Sequence, residues 1–250
     1  MLKPVIFVVA LLALTITDEP TSVTVKTIET IQMSVGPVVC LVTNAKGEME
    51  SKQVMGTGFF INRQGDFLTA GHVIVQGWDQ ISTKKNPCIP VIYVSRIPWG
   101  ERATDRPIQW FRFRLKNCRY NKEGDLASCR TDLNPFMNDE LKANIQPVAF
   151  SEGPMPPDGT PLAFTGFPIG YLIPITSKGN LATSTAVDKR LIIDKPAWPG
   201  ASGSPVYIEG GKVIGLIVRR GTNEGAGLAY ARPTSVILDF LRANKIPIEK

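Results

Sequence analysis

Trp198-Pro199-Gly200-Ala201-Ser202-Gly203-Ser204-Pro205-Val206-Tyr207 sets a serine between glycines in a G-x-S-G pattern, with a proline and an apolar, strand-like segment beyond. A nucleophilic serine needs its hydroxyl exposed on a tight turn, which small neighbours permit. It also needs backbone N–H groups that converge where a carbonyl oxygen becomes negative, and Gly200 and Ser202 are spaced to donate them. Taken alone, the same run also describes a Gly/Ser/Pro surface turn.

A search for a base gives the pattern its weight. The chain has one histidine, His72, in Phe67-Leu68-Thr69-Ala70-Gly71-His72-Val73-Ile74. A lone histidine is often only structural, but this one closes an apolar strand-like run and follows a small-residue pair. That placement suits a side chain projecting from a strand end into a cleft. Between histidine and serine lies Gly124-Asp125-Leu126-Ala127, a carboxylate leading an apolar run, with Asp105 and Asp132 as rivals. The order His72, Asp125, Ser202 differs from the orders of subtilisin-like and α/β-hydrolase triads.

Thr-Ala-Gly-His, Asp-Leu-Ala and Gly-Ala-Ser-Gly-Ser-Pro in this order resemble the trypsin/chymotrypsin-fold serine peptidases. The similarity is strongest to their bacterial-type branch, the HtrA-like and glutamyl-endopeptidase-like relatives, and spans roughly residues 36 to 242. Asp-Leu-Ala matches the family pattern where the rival aspartates do not. The resemblance implies an all-β fold of two six-stranded antiparallel barrels with a C-terminal helix and an active cleft between the barrels. It assigns 22–133 to a first barrel carrying the histidine and aspartate, 134–159 to a linker, 160–232 to a second barrel carrying the serine, and 233–244 to the helix.

By the same resemblance Ser202 is the nucleophile, His72 the base, Asp125 the group that fixes the imidazole tautomer, and the Gly200 and Ser202 amides the oxyanion hole. The function implied is a serine endopeptidase acting on peptide or protein substrates through an acyl-enzyme. A catalytically silent binding protein on the same fold is the alternative. Ala201 replaces the aspartate that pairs with a freshly cut N-terminus in pancreatic-type relatives, which implies an oxyanion hole formed without proteolytic activation. The pocket walls are expected from 195–199, 217–221 and 226–230, with Trp198, Val218, Arg219 and Arg220 touching substrate. No carboxylate stands at the expected pocket base, Asp194 being out of register, so cleavage after Lys or Arg is not supported. Arg219 and Arg220 suit acidic residues, or else are charges guarding an edge strand, and a preference for small apolar residues is also open.

Composition agrees with this class. The 250 residues are 43% hydrophobic with 22 Gly and 20 Pro, which suits many short strands joined by turns better than long helices. A net charge of +6 favours acidic partners and speaks only weakly for nucleic acid. The aromatic–basic run Trp110-Phe111-Arg112-Phe113-Arg114 reads as a half-buried strand rather than a base-stacking platform. With no C-x-x-C, no H-E-x-x-H and no second histidine, neither a metal nor a cofactor is expected.

Residues 1–17 pair one lysine with about a dozen apolar residues, the length of a signal-peptide core and short of a bilayer span. A secreted or periplasmic protein is therefore expected, with membrane attachment only if that segment is uncleaved. Four cysteines form an even set. Cys118 and Cys129 bracket Asp125, where a bridge would pin its loop and leave Cys40 with Cys88; buried free thiols are the other possibility.

Along the chain, 21–33 alternates weakly and predicts an entry strand or arm. Strands are expected at 35–42, 55–61, 67–70, 91–94, 109–115, 160–168, 181–187, 190–193, 212–218 and 227–231. Polar turns are expected at 47–52 and 62–66, irregular chain at 76–90, a polar insertion at 97–107, and a helical turn near 138–143. A helix is expected from Pro233-Thr234-Ser235 to Asn244.

Overall fold

The chain folds around strands whose apolar residues face two ways. The computed structural model describes residues 22–75, 88–96, 109–184 and 188–249, the side chains of 51, 52 and 224 excepted. The expected leader, the 97–107 insertion and Asp105 lie outside these residues.

Six antiparallel strands build the first barrel: β1 (Val35–Thr43), β2 (Met49–Phe60), β3 (Asp66–Ala70), β4 (Ile89–Ser95), β5 (Trp110–Asn121) and β6 (Leu126–Thr131). They close in the order β1-β2-β3-β6-β5-β4. β1 is buried at every position but the last, because one face fills the barrel and the other is covered from outside. Phe60 stacks edge-on against Phe67 and Phe136, with centroids 6.3 and 5.5 Å away. On β5 only Phe113 is fully buried, while Arg112 and Arg114 stay exposed.

A two-residue strand, β7 (Ala149–Phe150), follows in the linker and lies parallel to a strand of the second barrel. That barrel comprises β8 (Pro161–Gly166), β9 (Ile175–Thr183), β10 (Leu191–Ile193), β11 (Pro205–Tyr207), β12 (Lys212–Arg220) and β13 (Ala229–Pro233). The order β11-β8-β9-β10-β13-β12 closes through β11–β12 pairing, giving the second six-stranded barrel. Leu162, Phe164, Leu181, Ile193, Val206 and Ile214 fill it. A second apolar cluster runs from Phe59 and Phe67 of the first barrel through Phe167 and Leu216 of the second to Ile237 and Phe240 of the final helix. The barrels therefore share a core rather than meeting at a wet boundary.

Several expectations require correction. Residues 21–33 hold a helix, α1 (Val25–Gln32), not a strand: the Thr24 hydroxyl accepts from the Thr27 amide as an N-cap, and Thr27 and Ile31, four apart, are the buried face. The β-branched run reads as a strand, yet packing on one side selects the helical period. β2 resumes at Met49, inside the stretch expected to be a turn, and β9 begins at Ile175, earlier than 181. The C-terminal helix, α2 (Thr234–Ala243), stands where expected, with Asn244 as its C-cap.

Candidate active site

His72 lies in a helical turn at 71–75 that directly follows β3. Gly71 and His72 both bond Asp125: the Gly71 amide donates to its carbonyl at 2.8 Å, and the His72 amide to its Oδ1 at 2.8 Å. The His72 Nδ1 lies 2.8 Å from Asp125 Oδ2. One carboxylate thus holds both the backbone and the ring of the histidine. The two side chains are 29% and 27% exposed, open enough to reach a ligand. Asp125 sits at φ 52°, a left-handed position that aspartate tolerates better than most residues. Tyr120 covers the Gly71 backbone, and a Cβ at Gly71 would also lie 3.0 Å from Asp125 Oδ1. Asp132, the rival carboxylate within the described residues, instead accepts from the Arg114 and Leu133 amides at 3.0 and 2.9 Å.

Ser202 belongs to the second barrel, on the turn that enters β11. Gly200 and Gly203 take φ 93° and 88°. A Cβ on Gly200 would meet the Phe167 carbonyl at 2.5 Å, so a side chain is barred there twice over, by conformation and by space. The turn's carbonyls are tied from outside: Pro199 accepts from the Ile169 amide at 2.6 Å, and Ser202 accepts from the Thr57 amide at 2.8 Å. The Thr57 hydroxyl donates to the Gly200 carbonyl at 2.9 Å and accepts from the Phe167 amide at 3.0 Å. Of the turn's amides, Ala201 donates to Trp198, Gly203 to Ile217 and Ser204 to Ala201. Those of Gly200 and Ser202 have no acceptor among the described residues. Because N–H and C=O oppose each other across a trans peptide, the anchored Pro199 and Ala201 carbonyls turn these two amides the other way.

His72 and Ser202 line one cleft of about 220 Å³ with Ala197, Trp198, Pro199, Ile217, Val218, Arg219 and Arg220. Trp198, Val218, Arg219 and Arg220 are all brought to it. Asp194 is not: its carboxylate accepts from the Asn180 amide and, at 2.9 Å, from the Asn180 side chain. Ala201 is 3% exposed and packs in the second barrel's apolar cluster. Cys118–Cys129 and Cys40–Cys88 are both disulfides, the first joining the strands on either side of the Asp125 turn. Two disulfides indicate an oxidising compartment, extracellular or periplasmic.

Sequence reading missed Thr57, Tyr120 and the 167–171 segment that backs the serine turn. For Thr57 a signal existed: Gly56 and Gly58 announce close backbone approach, and a Cβ on Gly56 would lie 2.8 Å from the Ser202 carbonyl. Nothing in the sequence marks Ile169, which takes φ 58°.

Two closed antiparallel barrels with a cleft between them define the chymotrypsin-like fold. The sequence profile of the trypsin-like peptidase domain matches residues 56–216, more than half of the chain, and the protein belongs to that family of peptidases. Its substrates are accordingly peptides or proteins. Among solved structures it is similar to the Rv3671c protease from M. tuberculosis in its active form, with TM-score 0.61, 16% identity, and 92% of this chain and 90% of that chain covered. At that identity the likeness bears on the fold alone. No curated protein sequence matches significantly.

Proposed function

We propose that the protein is a serine endopeptidase that cleaves through an acyl-enzyme, and the observation that carries this is the sole histidine held by Asp125 while facing Ser202 across one cleft. His72 takes the proton of the Ser202 hydroxyl as that oxygen attacks the scissile carbonyl. The C–O bond forms, the carbonyl electrons move onto oxygen, and the Gly200 and Ser202 amides stabilise the charge. His72 then gives its proton to the leaving amine as the C–N bond breaks. Water repeats the sequence to release the acid. Asp125, accepting from Nδ1, keeps the other ring nitrogen free to act as base and stabilises the imidazolium.

The substrate main chain adds to β12. At Arg219–Arg220, just past a bulge at Val218, that strand pairs with β13 on one side, while among the described residues its other edge has no strand partner. Arg219 and Arg220 are exposed, form no ion pair among the described residues, and favour acidic side chains in the bound peptide.

An activated ester substrate tests the mechanism. The intact chain should release a burst of product equal to the active-site concentration. Ser202→Ala should abolish the burst. A burst that survives this substitution rules the reading out.

A further inference from the structure

Arg232 is not used in the chemistry above, yet it lies behind it. From β13 its guanidinium reaches across to the first barrel: Nε donates to the Gly124 carbonyl at 2.8 Å and one Nη to the Glu123 carbonyl at 2.9 Å. The other Nη donates to the Asp188 carbonyl at 2.8 Å. Arg232 forms no ion pair among the described residues. All three bonds spend a fixed planar fork on backbone oxygens.

Two of those oxygens belong to the residues just before Asp125. Holding the carbonyls of 123 and 124 fixes two successive peptide planes, and hence the direction in which Asp125 leaves the main chain. The turn's own restraints are an Asn121 side chain accepting from the Gly124 amide at 2.7 Å and a long bond from the Asp125 amide to Lys122 at 3.3 Å. Asp125 is in the left-handed region, which aspartate tolerates better than most residues but which its neighbours must still hold. The same arginine is tied to the nucleophile's side of the cleft. Arg232 pairs with Leu216 on β12, and the next residue, Ile217, exchanges backbone bonds with Gly203 and Ser204 at 2.7 and 2.9 Å.

We propose that Arg232 is a positioning residue: a cross-barrel strut that sets Asp125, and through it His72, against Ser202. The proposal rests on the triad reading above. Misplacing a group by about 1 Å can cost on the order of a hundredfold in rate. In the intact chain, Arg232→Met should lower kcat roughly ten- to a hundredfold with KM little changed. Arg232→Lys, which keeps a donor but not the fork, should recover part of the loss.

The decisive comparison is a double-mutant cycle with Asp125→Ala. If Arg232 acts through Asp125, Arg232→Met should change the residual activity less than about twofold in that background. An equal fold-loss in both backgrounds would make Arg232 a general support and overturn the proposal. If Arg232→Met does not fold, the Arg232→Lys cycle is read by the same criterion. A readout independent of turnover comes from the single histidine, whose imidazole signals cannot overlap with others of its kind. The hydrogen-bonded Nδ1 proton should be protected in the intact protein and lost to exchange in Arg232→Met; an unchanged signal also overturns the proposal. Absence of hydrolysis and of serine labelling in the unsubstituted chain would instead count against the triad, leaving the imidazole signal to decide Arg232.

Discussion

His72 and Asp125 meet through two contacts rather than one, amide to Oδ1 and ring to Oδ2. The carboxylate therefore fixes where the histidine's main chain lies as well as how its ring is turned. On the other side of the cleft Thr57 has a comparable double role, its hydroxyl joining the Gly200 carbonyl to the Phe167 amide. Thr57→Val conserves shape and removes both bonds. It should cost about 1–3 kcal/mol of stability, because a buried amide and a carbonyl lose their partner. It should also lower kcat more than it raises KM, as measured by denaturant unfolding beside steady-state kinetics. The three triad candidates were legible because each sits in a short motif of distinctive residue types. Thr57, Tyr120 and Arg232 were not, since their roles come from contacts between segments up to 143 residues apart.

Among the elements, the strands flanking His72 and the final helix were read closely from the sequence, whereas α1 was not. Its sequence, VKTIETIQ, favours a strand by β-branched content, and what it packs against decides otherwise. The partner is Glu209, at the turn between β11 and β12. Its carboxylate accepts from the Thr24 amide at 2.7 Å and from the Thr24 and Thr27 hydroxyls at 3.0 and 2.9 Å. The Thr24 amide, followed by the threonine hydroxyls, holds the Glu209 carboxyl below its ordinary range. A carboxylate with a depressed folded-state pKa stabilises above its unfolded pKa, and that contribution is lost as pH falls through the folded value. Because the group is largely solvated, the effect is small. Glu209→Gln should cost about 1 kcal/mol near neutral pH and nothing in strong acid. A loss that persists unchanged in acid would show that the charge is not what holds the helix.

The proposed site draws residues from both barrels, and the ties between the barrels are numerous. Thr57 binds the serine turn, Arg232 binds the acid-bearing turn, and a shared apolar cluster lies beneath. The C-terminal segment closes back on the first barrel, where the Glu249 amide donates to the Ile61 carbonyl at 3.0 Å. Among the described residues, the buried, apolar surroundings of Ala201 offer no partner for a charged N-terminus, and the serine turn is held by contacts already in place. The fold class was legible because three motifs in order specify an architecture, as no single motif does. The measurement that bears most directly on the account is labelling of the full chain by a fluorophosphonate, beside Ser202→Ala and His72→Ala. Labelling confined to the unsubstituted protein is the result expected of a serine activated by His72. A folded protein that takes no label, or one that labels equally after His72→Ala, would contradict it.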